Sequence, residues 1–103
     1  MNLSKAFVIE YDTKGFIIRV NKILAKYLEK DKSEIQGQHW TKFFKSDSVN
    51  ENNFWKSLIN GKEAEQEFEL VKGEAQIKTK GTFIPIVENG RISKIIAYSN
   101  LIN

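Results

Sequence analysis

The chain has 103 residues with no cysteine, one proline, 41% hydrophobic and 12% aromatic residues, which suits one compact domain around one small core. Without cysteine there is no disulfide, thiolate nucleophile, CxxC redox centre or cysteine-ligated zinc. Sixteen Lys and Arg against thirteen Asp and Glu leave a formal charge of +3, and the cations are scattered rather than gathered into the stripe a nucleic-acid binder needs. Lys26, Lys30 and Lys32 come nearest to a patch, and Glu29, Asp31 and Glu34 interrupt them. The longest unbroken apolar run, Phe83-Ile84-Pro85-Ile86-Val87, is far short of the ~20 residues a membrane-spanning helix needs, so no membrane contact is expected from this segment. Met1 to Lys5 lead into the patterned sequence without an apolar h-region or small-residue cleavage site, and a cytoplasmic location is expected.

Residues 6–12 are rich in strand formers and end at Asp12-Thr13-Lys14-Gly15, where glycine accepts a positive φ. With a second strand over 16–20 this predicts a hairpin. Asn21 is a good N-cap, and Leu24, Tyr27 and Leu28 form one apolar face of a helix over 22–29. Ser33 and Gln36 have capping-box spacing for a further short helix that Gly37 stops. His39-Trp40-Thr41-Lys42-Phe43-Phe44 reads as one helical turn. A stronger helix is expected over 49–60, with Ser48/Glu51 as capping box, Phe54/Leu58 and Trp55/Ile59 one turn apart, and Asn60-Gly61 as its stop.

From residue 63 the period changes to two. Glu63, Glu65, Glu67 and Glu69 alternate with a side that ends in Phe68 and Leu70, the mark of a half-buried strand. A tight turn over Val71–Glu74 leads to a strand over 75–87, where Ile77, Thr79, Gly81 and Phe83 oppose Lys78 and Lys80. Asn89-Gly90 is a hairpin signal, and a last strand runs over 91–101. Two strands, several short helices and three hairpin-linked strands make an α+β domain, with the helices on one face of a common sheet.

That order and spacing resemble a PAS domain, the S-box sensory module of bacterial receptors, over about Ala6 to Asn103. The residues that carry the likeness are Ile9-Glu10-Tyr11-Asp12 with Gly15, Ile18 and Asn21; Glu34-Ile35-x-Gly37; and Phe54-Trp55-x-x-Leu58-x-x-Gly61. Glu67-x-Glu69 around Phe68, Phe83-x-Pro85-Ile86 and Asn89-Gly90-x-Ile92-x-Lys94-Ile95-Ile96 complete it. The likeness is greatest to PAS domains of chemotaxis transducers and sensor kinases. It implies a five-stranded antiparallel sheet in the order 2-1-5-4-3, with helices capping one face around a cavity.

The expected lining of that cavity is Ile9, Ile18, Val20, Leu24, His39, Trp40, Phe43, Trp55, Phe68, Thr79 and Phe83. So many large aromatic side chains favour a filled or very small interior over a bulky planar cofactor. His39, the one histidine, is the obvious haem ligand by analogy with haem-binding relatives, but no second strong ligand or CxxCH attachment accompanies it. Flavin relatives that form a cysteine adduct carry that cysteine where Trp40 stands here, which excludes adduct photochemistry. Redox relatives with non-covalent flavin carry a tryptophan near the position of Glu65-Gln66, and this chain has none there. The expectation is a module without cofactor.

The glutamate stripe reads as a solvated strand face with Lys78 and Lys80 placed to neutralise it, not as paired catalytic carboxylates. No Gly-x-Gly-x-x-Gly, phosphate loop, Ser-His-Asp grouping or HExxH occurs, so no enzymatic activity is expected. Relatives end in an Asp-(Ile or Val)-Thr motif that couples the sheet to an output helix; Leu101-Ile102-Asn103 stands here instead. The expected function is a sensory module that binds a small ligand beneath the helices and relays the change through the sheet to a homodimer partner or a downstream signalling domain. The alternative is a ligand-free dimerisation module with a filled core, paired through its outer sheet face.

Overall fold

The computed structural model describes residues 5–102. Asp12 makes the first turn: its Oδ1 accepts from the backbone N–H groups of Lys14 and Phe16, each at 2.9 Å, and folds β1 (Phe7–Tyr11) back onto β2 (Ile17–Val20). Asn21 then caps α1 (Lys22–Leu28) as expected, its Oδ1 accepting from Leu24 N–H at 3.2 Å.

The next two caps differ from the expected pairs because closer side chains win. α2 (Lys32–Ile35) starts on Asp31, whose N–H donates to Glu34 Oε1 at 3.0 Å, two residues before the Ser33/Gln36 spacing. α3 (Glu51–Ile59) is capped by Asn50, which accepts from Asn53 N–H at 3.0 Å, and not by Ser48 with Glu51. A 3-10 turn (Trp40–Lys42) holds the aromatic segment between them.

The strands form one antiparallel sheet in the order β2-β1-β6-β5-β4-β3, with β4 (Ala64–Lys72), β5 (Ala75–Glu88) and β6 (Arg91–Leu101) as a meander. This is the expected order with one strand more. The two-residue β3 (Phe44–Lys45) pairs with Leu70 and Glu69 of β4, where one helical turn was expected to end. The β4–β5 turn is tighter than Val71–Glu74: Val71 and Lys72 stay paired in the ladder, and only Gly73 and Glu74 turn. Asn89 and Gly90 both take positive φ, 53° and 76°, as a two-residue hairpin requires. Pairing of β1 with β6, from Phe7 opposite Ser99 to Tyr11 opposite Ile95, joins the first hairpin to the meander. Of the terminal triplet, Asn103 lies outside the described residues.

Side chains alternate across this sheet. Phe7, Ile9 and Tyr11, Phe68 and Leu70, Thr79 and Phe83, and Ile95, Ala97 and Ser99 are buried beneath the helices. β2 breaks the alternation. Arg19 opposes Glu10 and Ile17 opposes Tyr11, so Ile18 is the extra residue of a β-bulge. The bulge sends Ile17 and Val20 inward and leaves Ile18 44% exposed, which overturns its place in the expected lining. A second bulge at Ser93 of β6 shifts the register between Ile86/Lys94 and Val87/Ile92.

Gly15 touches the helical layer directly. Its φ is 93°, and a Cβ there would lie 2.7 Å from Trp40 Cδ1 and 2.8 Å from His39 Nε2. Gly73, with φ of 59°, faces open space. Gly15→Ala is therefore expected to cost about 2–4 kcal/mol, left-handed strain plus a clash, against about 1–2 kcal/mol for Gly73→Ala. Urea denaturation of the two variants beside the parent checks the difference.

Tyr11 gives a pH test. Burial pushes its phenol well above the ordinary value of 10.0. Above that pH the unfolded phenol ionises while the buried one keeps its proton, so the unfolded state binds fewer protons and stability falls by up to about 1.4 kcal/mol per pH unit. Below it the contribution is fully present. The urea midpoint is expected to drop between about pH 10 and 11 more steeply in the parent than in Tyr11→Phe.

Candidate functional site

The space between helices and sheet is occupied by interlocked aromatic rings. Trp40, from the 3-10 turn, lies stacked on Trp55 of α3 with centroids 5.9 Å apart, and meets Phe68 of β4 edge-on at 5.3 Å. Phe54 of α3 meets Phe68 at 5.2 Å and Phe83 of β5 at 5.0 Å, both edge-on. Tyr11 of β1 closes the set against Trp55 at 5.5 Å. These separations are those of favourable ring pairs, each contributing about 0.5–1.5 kcal/mol beyond area burial. The cluster ties the 3-10 turn and α3 to strands β1, β4 and β5.

Of the expected lining, Ile9, Val20, Leu24, Trp40, Phe43, Phe68, Thr79 and Phe83 are buried in this common interior, and Trp55 is half-buried at its rim. Thr79 carries its polar atom inward without penalty, because Oγ1 donates to Phe68 O at 2.9 Å. Tyr11 and Phe54 belong to the cluster and were not in the expected lining. Their signals were present: Tyr11 continues the period of two from Phe7 and Ile9, and Phe54 lies one turn from the fully buried Leu58.

His39 is turned to the first hairpin. Its Nε2 lies 3.0 Å from Lys14 O, a carbonyl that only accepts, so this nitrogen carries the hydrogen. Nδ1 then accepts from Thr41, with the hydroxyl at 2.9 Å and the backbone N–H at 3.4 Å. Phe16 packs edge-on against the ring at 5.0 Å. With both nitrogens engaged, the imidazole has no lone pair left for an iron, and the residues present do not fit a histidine-ligated haem.

Two neighbours complete a clasp on the same turn. Trp40 N–H donates to Gly15 O at 2.9 Å, and Trp55 Nε1–H donates to Thr13 O at 2.8 Å. Three consecutive carbonyls of the hairpin thus accept from the layer that covers the sheet. Both tryptophan residues are thereby tied to the β1–β2 turn.

The concave features lie at the surface rather than within the ring cluster. A depression of about 170 Å³ is flanked by Lys45, Ser46, Asp47 and Lys78, with Phe68 at its floor, the same ring that contacts Trp40. A more apolar groove of about 540 Å³ runs along Phe7, Ile23, Tyr27 and Leu101. Glu65 and Glu67 of β4 are exposed as expected, Glu69 is half-buried, and Lys80 pairs with Glu65 at 3.0 Å. That hydrogen bond raises the lysine's pKa.

No helix among the described residues is long and apolar enough to cross a membrane. No curated protein matches the sequence. Solved structures match it over nearly its whole length. The PAS domain of an HTR-like protein from Haloarcula marismortui superposes with a TM-score of 0.79 at 17% identity, covering 96% of this chain and 83% of that one. The PAS domain of nitrogen regulation protein NR(II) from Vibrio parahaemolyticus gives 0.74 at 13% identity, over 94% and 89%. The PAS domain of the Cronobacter turicensis RpfR quorum-sensing receptor, in complex with BDSF, gives 0.74 at 20% identity, over 96% and 95%. At these identities the likeness establishes the fold. The family model described as PAS domain matches residues 4–100, and with the sheet order and helical layer above, the chain belongs to the PAS domain family.

Proposed function

We propose that the chain is a sensory module of a cytoplasmic signalling protein, in which a small apolar ligand displaces part of the aromatic cluster and the sheet relays the change. The observation that carries this is the cluster itself, which ties α3 and the 3-10 turn to three strands. A ligand arriving through the depression beside Phe68 meets a ring already in contact with Trp40, Phe54 and Phe83. Displacing Phe68 or Phe54 moves the tryptophans that hold the first hairpin. Two packings separated by a few kcal/mol suffice for such a switch, provided the ligand favours one.

On the opposite face, Val8, Ile84, Ile86, Ile96 and Tyr98 form a half-exposed apolar strip down the middle strands. We assign it to homodimerisation, with the partner or a downstream signalling domain receiving the change. The apolar interior offers no acid–base pair, so no reaction is assigned to it. A second function, a ligand-free dimerisation module, is favoured by the tight contact among the rings, which leaves the strip as the working surface.

Trp40 and Trp55 are the two tryptophans of the chain and both belong to the cluster, so their emission reports on it directly. A metabolite or small apolar compound that binds is expected to raise the melting temperature and shift that emission together. Phe83→Ala should destabilise the fold by about 3–5 kcal/mol and alter the affinity for any such compound. If a broad screen moves neither signal, and native mass spectrometry of freshly purified protein finds only the polypeptide, ligand sensing is rejected and the dimerisation module stands.

A further inference from the structure

We propose that the groove between α1 and the end of β6 is a second binding site, separate from the ring cluster, for an amphiphilic organic anion. Such a ligand has an apolar body and one carboxylate or sulfate. The site arises because the sheet outlasts its helical cover. Ile95, Ala97 and Ser99 of β6 alternate inward and are buried, whereas Leu101, next in that series, is 41% exposed. Phe7 of β1, paired opposite Ser99, lines the same groove.

α1 supplies the facing wall. Leu24, Ala25 and Leu28 are its buried residues, and Ile23, Lys26 and Tyr27, three and four apart, line the groove. Tyr27 packs on Phe7 with ring centroids 5.3 Å apart. The space of about 540 Å³ falls within the roughly 300–1,000 Å³ of small-molecule sites. Its lining is a handful of residues, far fewer than the roughly 20–30 a side of a stable protein interface. A small molecule is thereby favoured over a docked chain.

The charge around the groove has one sign. Lys5 and Lys26 belong to the lining and no Asp or Glu does, while Lys72 of β4 holds its Nζ 4.5 Å from the Tyr27 ring centroid. Lys22 precedes Lys26 by one turn on a helix without an acidic residue, so like charges repel along it. Glu29 and Glu74, the carboxylates that follow Lys26 and Lys72 in the chain, stay out of the lining. The ion pairs among the described residues use none of these lysines. A bound anion relieves that repulsion while its apolar body covers Phe7, Ile23 and Leu101. A cation or a neutral compound gains only the second contribution.

Amide NMR of the full chain, titrated with decanoate below its micelle concentration, tests this. Saturable shifts are expected at Ile23, Tyr27 and Leu101 with a Kd below about 1 mM, and the emission of Trp40 and Trp55 should stay unchanged. Decyltrimethylammonium and 1-decanol, of equal chain length, should bind at least about fivefold more weakly. Lys5 and Lys26 are exposed, so Lys5→Glu combined with Lys26→Glu should leave the circular dichroism intact and weaken decanoate by about fivefold or more. Leu101→Asp should weaken it similarly. Shifts confined to the ring cluster, with a change in tryptophan emission, would place the ligand in the interior and overturn the groove site. Equal affinity for all three head groups would overturn the anion. No saturable binding up to about 1 mM rejects the site, and binding to anionic phospholipid vesicles alone rejects a free ligand in favour of a membrane surface.

Discussion

Phe7 opposite Ser99 and Tyr11 opposite Ile95 bring the first strand against the last, and every layer of the molecule follows from that contact. It joins a local hairpin to a local meander, two units separated in sequence by all of α1, α2 and α3. Only when β1 lies beside β6 do Ile9, Tyr11, Phe83 and Ile95 share one face. Only then do the helices have a continuous apolar surface to cover. The pairing closes a loop of most of the chain, so its entropic cost falls before its contacts form, and local hairpins must supply the early stability.

The fold was largely legible because its signals are local. Gly15, Asn21 and Asn89-Gly90 each mark a boundary by backbone chemistry that later packing does not override. The strand order came from likeness to a family, since periodicity does not say which strand neighbours which. What escaped depended on one-residue detail. Ile18 and Val20 look equivalent at a spacing of two, but a bulge opposite Glu10 reverses one of them. Capping partners escaped for a similar reason: Asp31 and Asn50 compete with Ser33 and Ser48 within two residues, and the choice rests on where the chain enters the helix. The two-residue β3 is too short to have a period at all. In the interior, aromatic content was visible, whereas the stacking of Trp40 on Trp55 and the turning of His39 to Lys14 are properties of three dimensions.

Polar groups in and around the interior matter as much as its rings. Trp55 is both a member of the stack and a donor to Thr13, and Trp40 contributes its ring to one side and its backbone N–H to Gly15. An aromatic side chain with a hydrogen-bonding handle transmits displacement in a way a purely aliphatic core does not, because a shift of the ring breaks a directional contact elsewhere. The first hairpin is accordingly the part of the sheet most directly connected to the helical layer.

The outer rim of β2 is already occupied. Ile17 N–H donates to Gln38 O at 2.8 Å, and Gly37 N–H donates to Ile17 O at 2.7 Å, so the connecting segment behaves as a stub of further strand. Uncontrolled growth by lateral stacking of sheets requires two open borders per molecule. Here one border is sealed by the chain itself, and the opposite one is interrupted by β3 and studded with carboxylates from β4. A small, strand-rich protein thereby offers little unpaired strand edge to which a second sheet could add.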